Sequence, residues 1–77
     1  MSEELLQRVC AVVAETLNLP LAEVNGETRQ GSPANWDSMA QLSIVLSLEQ
    51  EFGVSLSPEQ VEAMTSINAI VRELGSG

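Results

Sequence analysis

Apolar residues recur at spacings of three and four in several stretches of this chain, the signature of amphipathic helices. Over residues 3–17 the repeat is Leu5, Val9, Val12, Val13 and Thr16 or Leu17. Ser2 is placed to cap this first helix, with Glu3 and Glu4 in the favourable first turn. Asn18 can close it in a left-handed conformation, and Pro20 blocks its return. Residues 38–52 form a second helix on Met39, Leu42, Val45, Leu46 and Phe52, widened by Ile44 and Leu48. Being apolar around more than half its circumference, it is expected to touch elements on more than one side. Gly53 stands where a left-handed cap belongs. Ser57-Pro58-Glu59-Gln60 is a capping box with the helix-opening proline, and a short helix over 58–64 follows. Thr65 or Ser66 caps a last helix over 67–74, carrying Ile67, Ile70, Val71 and Leu74. Gly75-Ser76-Gly77 reads as a frayed tail. Val54-Ser55-Leu56 alternates, but three residues between two helix signals cannot make a sheet. The expected fold class is all-α, a small four-helix bundle of three main helices and one short one.

Residues 18–36 are the long exception. Pro20, Asn25-Gly26, Gly31-Ser32-Pro33 and Asn35 are turn formers. A loop this long in a small domain is functional or strapped down, with Leu19, Leu21 and Val24 as anchors and one helical turn over 21–24.

A chain of 77 residues makes one domain, 1–77, whose core supplies only a few kcal/mol. With one cysteine and no histidine it can form no internal disulfide, and a zinc site is not expected. The lone Cys10 fits a reducing compartment, the acidic start is unlike a signal peptide, and no apolar run approaches a membrane span. A cytoplasmic monomer without membrane insertion is therefore expected. Eleven acids against three arginines give a net charge of −8. That balance argues against nucleic acid and anionic membrane surfaces; it favours partners with basic docking surfaces, or else serves only to keep a small protein soluble.

Enzymatic chemistry fails by inventory. There is no histidine base, no Cys–His or Ser–His pair, no phosphate-cradling glycine loop and no calcium loop. Cys10, beside Val9 at the edge of an apolar face, reads as a half-buried structural thiol. What remains is Asp37-Ser38, where a polar loop meets an apolar helix. A hydroxyl there lies at unpaired backbone N–H groups and the positive dipole end, where an attached phosphate is electrostatically favoured. The plainer alternative is that Asp37 or Ser38 only caps the helix.

With those residues in view, the chain resembles the acyl carrier proteins from about Leu5 to Leu74. Asp37-Ser38-Met39 stands where the family has its usual Asp-Ser-Leu attachment motif. Leu48-Glu49-Gln50-Glu51-Phe52-Gly53-Val54 and Met64-Thr65-Ser66-Ile67, leading into Ile70-Val71, extend the match. The resemblance implies that Ser38 receives a 4′-phosphopantetheine arm from coenzyme A through a phosphopantetheinyl transferase, with Asp37 supporting that step. The arm's thiol would carry an acyl group as a thioester, presented to acyl-loading ligases or synthases in fatty-acid, lipid or polyketide-type biosynthesis. The chain itself would be a non-catalytic carrier. Acyl chains would tuck among Leu42, Leu46, Leu56, Val61, Met64 and Ile67, which also read as ordinary core.

Departures from the general fatty-acid carriers point to a specialised member. Met39 replaces leucine, Trp36 precedes the aspartate where a small residue is common, and Gln41, Ser43 and Ser47 occupy positions that are typically acidic. Trp36, Met39, Gln41, Glu49 and Glu51 are accordingly candidates for partner recognition. For Trp36 the plainer reading is a loop anchor, and for the two acids it is interaction with other charges. Two alternatives stand beside the acyl carrier: an aminoacyl, D-alanyl or peptidyl carrier, and an acidic helical interaction module with no prosthetic group.

Overall fold

Four helices, α1 (Glu3–Leu17), α2 (Ser38–Phe52), α3 (Pro58–Ala63) and α4 (Ile67–Gly75), follow one another in the computed structural model, which describes residues 3–31 and 35–75. A 3₁₀ turn, Leu21–Glu23, interrupts the first loop within the expected segment. The expected all-α bundle is therefore found, with α3 ending one residue early and α4 running one residue further, through Gly75. The Ser2 cap, the Ser32-Pro33 turn and the last two tail residues lie outside the described residues.

Helix α1 is the centre, packing against both α2 and α4, while α3 rests on α4. Its inward face is Val9, Cys10, Val13, Ala14 and Leu17. It ends as the sequence implies. Asn18 adopts φ 60°, its N–H donates to Glu15 O, and the Leu19 N–H reaches back to Ala14 O at 2.8 Å. These two bonds form a Schellman closure, satisfying carbonyls that a helix end leaves unpaired.

The first loop is strapped down. Asn25 Oδ1 accepts the Glu27 N–H in an Asx turn, and Thr28, buried, accepts the Asn25 N–H on its Oγ1. Beyond it the loop runs beside the start of α4. Ile67 N–H donates to Thr28 O at 2.8 Å, Asn68 N–H to Gly26 O at 3.0 Å, and Gln30 N–H to Thr65 O at 2.8 Å. A single antiparallel bridge, Arg29 with Ser66, results. A Cβ at Gly26 would stand 2.5 Å from Asn68 Oδ1, so a larger residue there would make the Asn68 side chain swing aside. Ser66, and not Thr65, caps α4 by accepting the Ala69 N–H on Oγ.

Helix α2 turns a different face inward from the one expected. Its buried residues are Gln41, Ile44, Val45 and Leu48, at i, i+3, i+4 and i+7. Met39, Leu42 and Leu46 face solvent. Both faces are apolar, so periodicity alone does not set the phase of the helix, and the polar residue Gln41 sits on the buried side. Gly53, at φ 65°, closes α2. Arg8 fastens that end to α1. Its guanidinium lies 4.4 Å from the centre of the Phe52 ring and 3.3 Å from Glu51 Oε2, and it donates to Glu51 O. The capping box of α3 forms as read, with Ser57 Oγ accepting the Gln60 N–H and Gln60 Oε1 accepting the Ser57 N–H.

Candidate functional site

Asp37 has extended backbone, φ −104° and ψ −169°, so the chain enters α2 at a sharp angle. Its Oδ1 accepts the Ala40 N–H at 2.9 Å and its carbonyl accepts the Gln41 N–H. Asp37 is thus the N-cap, and Ser38 is the first residue inside the helix. Ser38 is exposed, and its hydroxyl makes no hydrogen bond to any described residue. The amides of Ser38 and Met39 are likewise left without partners among the described residues, where the dipole of a 15-residue helix is positive. Capping and the free hydroxyl are therefore divided between two neighbours.

What holds this corner in place lies directly beneath it. Trp36 is fully buried, and its Nε1–H donates to Gln41 Oε1 at 2.7 Å. The Gln41 Nε2 group donates to Met64 O at 2.9 Å and to Val61 O at 3.3 Å. A buried amide thus joins the loop before Ser38, α2 and the end of α3. Asn35 adds a tie on the outer side, donating from Nδ2 to Leu17 O at 2.9 Å.

These contacts correct two of the recognition candidates. Trp36 and Gln41 are interior, 0% and 8% exposed, because each satisfies the other's polar group inside the bundle. The loop-anchor reading of Trp36 is the one the structure bears out. Glu49 Oε2 is taken by the Leu56 N–H at 2.9 Å, and Glu51 pairs with Arg8, so both acids bind within the chain. Met39 alone of the five is a large, exposed side chain with nothing held against it.

The pocket candidates scatter as well. Leu42 and Leu46 face solvent and so do not line an interior space. Met64 and Ile67 have no exposed surface and belong to the core, while Leu56 and Val61 are half-buried. A cavity of about 200 Å³ includes Leu56, with Val54, Ser55, Gln60, Glu73 and Leu74 around it. Another, about 480 Å³, lies between α1 and the 3₁₀ turn, lined by Leu6, Gln7, Cys10, Leu21, Val24 and Asn25, and includes none of the six. Cys10 is 7% exposed, and burial pushes its thiol above the ordinary range, which fits a structural role.

The signal that sequence reading missed is Gln41, a polar residue on an apolar repeat. Its partners come from positions 36, 61 and 64, which no spacing rule connects.

Comparison with known proteins agrees with the resemblance. The family model described as "Phosphopantetheine attachment site" matches residues 7–74. The acyl carrier protein of Prochlorococcus marinus (strain MIT 9515) is 29% identical over 70 residues, covering 91% of this chain and 88% of that protein. The acyl carrier protein of Helicobacter pylori (strain G27) is 31% identical over 68 residues, covering 88% and 87%. That of Thermosynechococcus vestitus is 29% identical over 68 residues, covering 88% and 84%. The matched attachment domain and these relatives support a covalent 4′-phosphopantetheine over the reading of a module with no prosthetic group. With a matching attachment domain across nearly all its length and relatives of the same size, this chain belongs to the acyl carrier protein family.

Proposed function

We propose that Ser38 is the residue that bears the 4′-phosphopantetheine arm, and that Asp37 orients it for the transferase. The observation that carries this reading is the division of labour at the start of α2. Asp37 supplies the cap, so the Ser38 hydroxyl is exposed and free of internal bonds. In the attachment step a bond forms between Ser38 Oγ and phosphorus. The pyrophosphate P–O bond of coenzyme A breaks, adenosine 3′,5′-bisphosphate leaves, and the hydroxyl proton passes to a base of the transferase. The unpaired amides of Ser38 and Met39 suit a phosphodiester at that point. The second carboxylate oxygen of Asp37, one residue away, makes no bond to a described residue and is free to approach the magnesium-bound coenzyme.

When bound, the arm supplies a terminal thiol that holds acyl cargo as a thioester. The chain's own residues position it: Trp36, Gln41 and Asn35 fix the loop, and α2 gives a rigid base. The protein then acts as a non-catalytic, cytoplasmic, monomeric carrier, presenting cargo to acyl-handling enzymes of fatty-acid, lipid or polyketide-type biosynthesis. Its net charge of −8 attracts basic partner surfaces over a distance. The test is mass spectrometry after incubation with coenzyme A, magnesium and several phosphopantetheinyl transferases. Wild type gains one arm and Ser38→Ala gains none. A wild type that stays unmodified, or a Ser38→Ala variant that is still modified, refutes the assignment. Parallel loading with acyl and amino-acid ligases separates an acyl carrier from an aminoacyl or D-alanyl one.

A further inference from the structure

We propose that this carrier leaves its cargo in solvent, and that the cargo is a short acyl unit of up to about four carbons, which gains little from burial. The inference deepens the assignment of Ser38 and rests on it. Its ground is that the interior beside Ser38 is closed by hydrogen bonds. Gln41 is the first buried residue of α2 after Ser38, about 4.5 Å further along the axis, where the inward face of the helix begins. Both ends of its amide are occupied. Oε1 accepts the Trp36 Nε1–H at 2.7 Å, and Nε2 gives its two donors to Met64 O and Val61 O. Trp36, Ile44, Met64 and Ile67, which fill the core, have no exposed surface. Among the described residues, no buried side-chain nitrogen or oxygen lacks a partner.

An alkyl chain brings neither donor nor acceptor. Entering past Gln41, it would part the indole N–H from Oε1 and the amide from the Met64 carbonyl. Those groups would then be buried without partners, at a cost that the chain cannot offset with bonds of its own. Against a wall of leucines the same chain would only exchange one apolar contact for another. Leu42 and Leu46, expected to form such a wall, are each 60% exposed. The two cavities described above are lined by residues other than Trp36, Gln41, Met64 and Ile67. A polar seal of this kind discriminates by chain length. The benefit of burial grows with each methylene, so a cargo of few carbons loses little by staying outside, whereas a long chain held in water loses much.

Wild type loaded by a transferase from acetyl-, butyryl- and octanoyl-coenzyme A, with magnesium, tests this without any turnover assay. Cleavage of each thioester by hydroxylamine is timed against the same thioester of free pantetheine, and thermal midpoints are compared with the unacylated, arm-bearing form. All three wild-type thioesters are expected to be cleaved within about twofold of the free ones, whereas enclosure in the core would slow the octanoyl form about tenfold or more. All three are expected to melt with the unacylated form. The double variant Trp36→Phe with Gln41→Ala removes the seal and the indole N–H together. Folded by circular dichroism, it is expected to slow octanoyl but not acetyl cleavage about tenfold. Should it fail to fold, the wild-type result decides. Mass spectrometry of the carrier isolated from its native host reads the cargo directly, and a chain of about eight carbons or more overturns the inference. Octanoyl protection on wild type overturns it too and leaves Ser38 standing. A folded double variant without protection overturns the assignment of the seal to Trp36 and Gln41. A wild type that accepts no arm overturns the Ser38 assignment and this inference with it.

Discussion

Removing the hydrogen-bonding amide of Gln41 tests whether the attachment corner is held by the buried network beneath it. Gln41→Met keeps the length of the side chain and its approximate volume, but can neither accept from Trp36 Nε1–H nor donate to Met64 O. Val61 O keeps a partner, because it also accepts the Met64 N–H at 3.1 Å. Two buried groups are thus orphaned, each at about 1–3 kcal/mol, for a total of about 3 kcal/mol after relaxation. A domain of 77 residues has roughly 4–12 kcal/mol of stability, so the loss is large but survivable. With a urea slope of about 1 kcal/mol per molar, the midpoint falls by about 3 M. Far-UV circular dichroism is the proper probe, because Trp36 is the only tryptophan and is itself varied in the second arm of the cycle. In a Trp36→Phe background the indole N–H is already gone, so Gln41→Met then orphans only Met64 O. Its cost should fall to about 1.5 kcal/mol, giving a coupling energy of similar size. A single-variant loss below about 0.5 kcal/mol, or equal losses in both backgrounds, would refute the reasoning.

Because Asp37 carries the cap, Asp37→Ala should cost about 1 kcal/mol in the same urea assay, while Ser38→Ala changes stability by less than about 0.5 kcal/mol. The reverse order would mean that the serine, not the aspartate, closes the helix. Burial raises the Cys10 thiol above its unfolded range, so the folded chain resists ionising it. That contribution is fully present below the ordinary thiol range and is lost as pH rises through the folded value. Urea midpoints should therefore decline more for wild type than for Cys10→Ala between neutral and alkaline pH, and parallel declines would count against the burial argument.

Local signals carried much of this fold because they need no distant partner. The Ser57–Gln60 capping box, the left-handed Asn18 and Gly53, and the bounds of α2 are set by residues within one turn. The same holds for Asp37 and Ser38, whose placement follows from where loop composition gives way to helix. The orientation of α2 was not readable in this way. Leu42 and Leu46 are as apolar as Ile44 and Leu48, and only packing against α1 decides which pair is buried. For Glu49 and Glu51 the sequence left recognition and interaction with other charges both open, because the groups that bind them, the Leu56 N–H and Arg8, approach through tertiary structure. At the site, two leucines expected inside, Leu42 and Leu46, lie on the surface, and Gln41, read as a partner contact, lies inside.

The strap between the first loop and α4 has a thermodynamic consequence. The opening amides of a helix are ordinarily the first to fray, but those of Ile67 and Asn68 are closed by Thr28 O and Gly26 O. The loop is in effect a detached cap for the last helix, and the helix is the clasp that keeps the loop shut. Neither can open locally without exposing donors on one side and acceptors on the other, so the two segments form a single cooperative unit. Protection of the Ile67 and Asn68 amides against solvent exchange therefore reports on the loop that leads to Ser38, although both residues lie far beyond it in the chain.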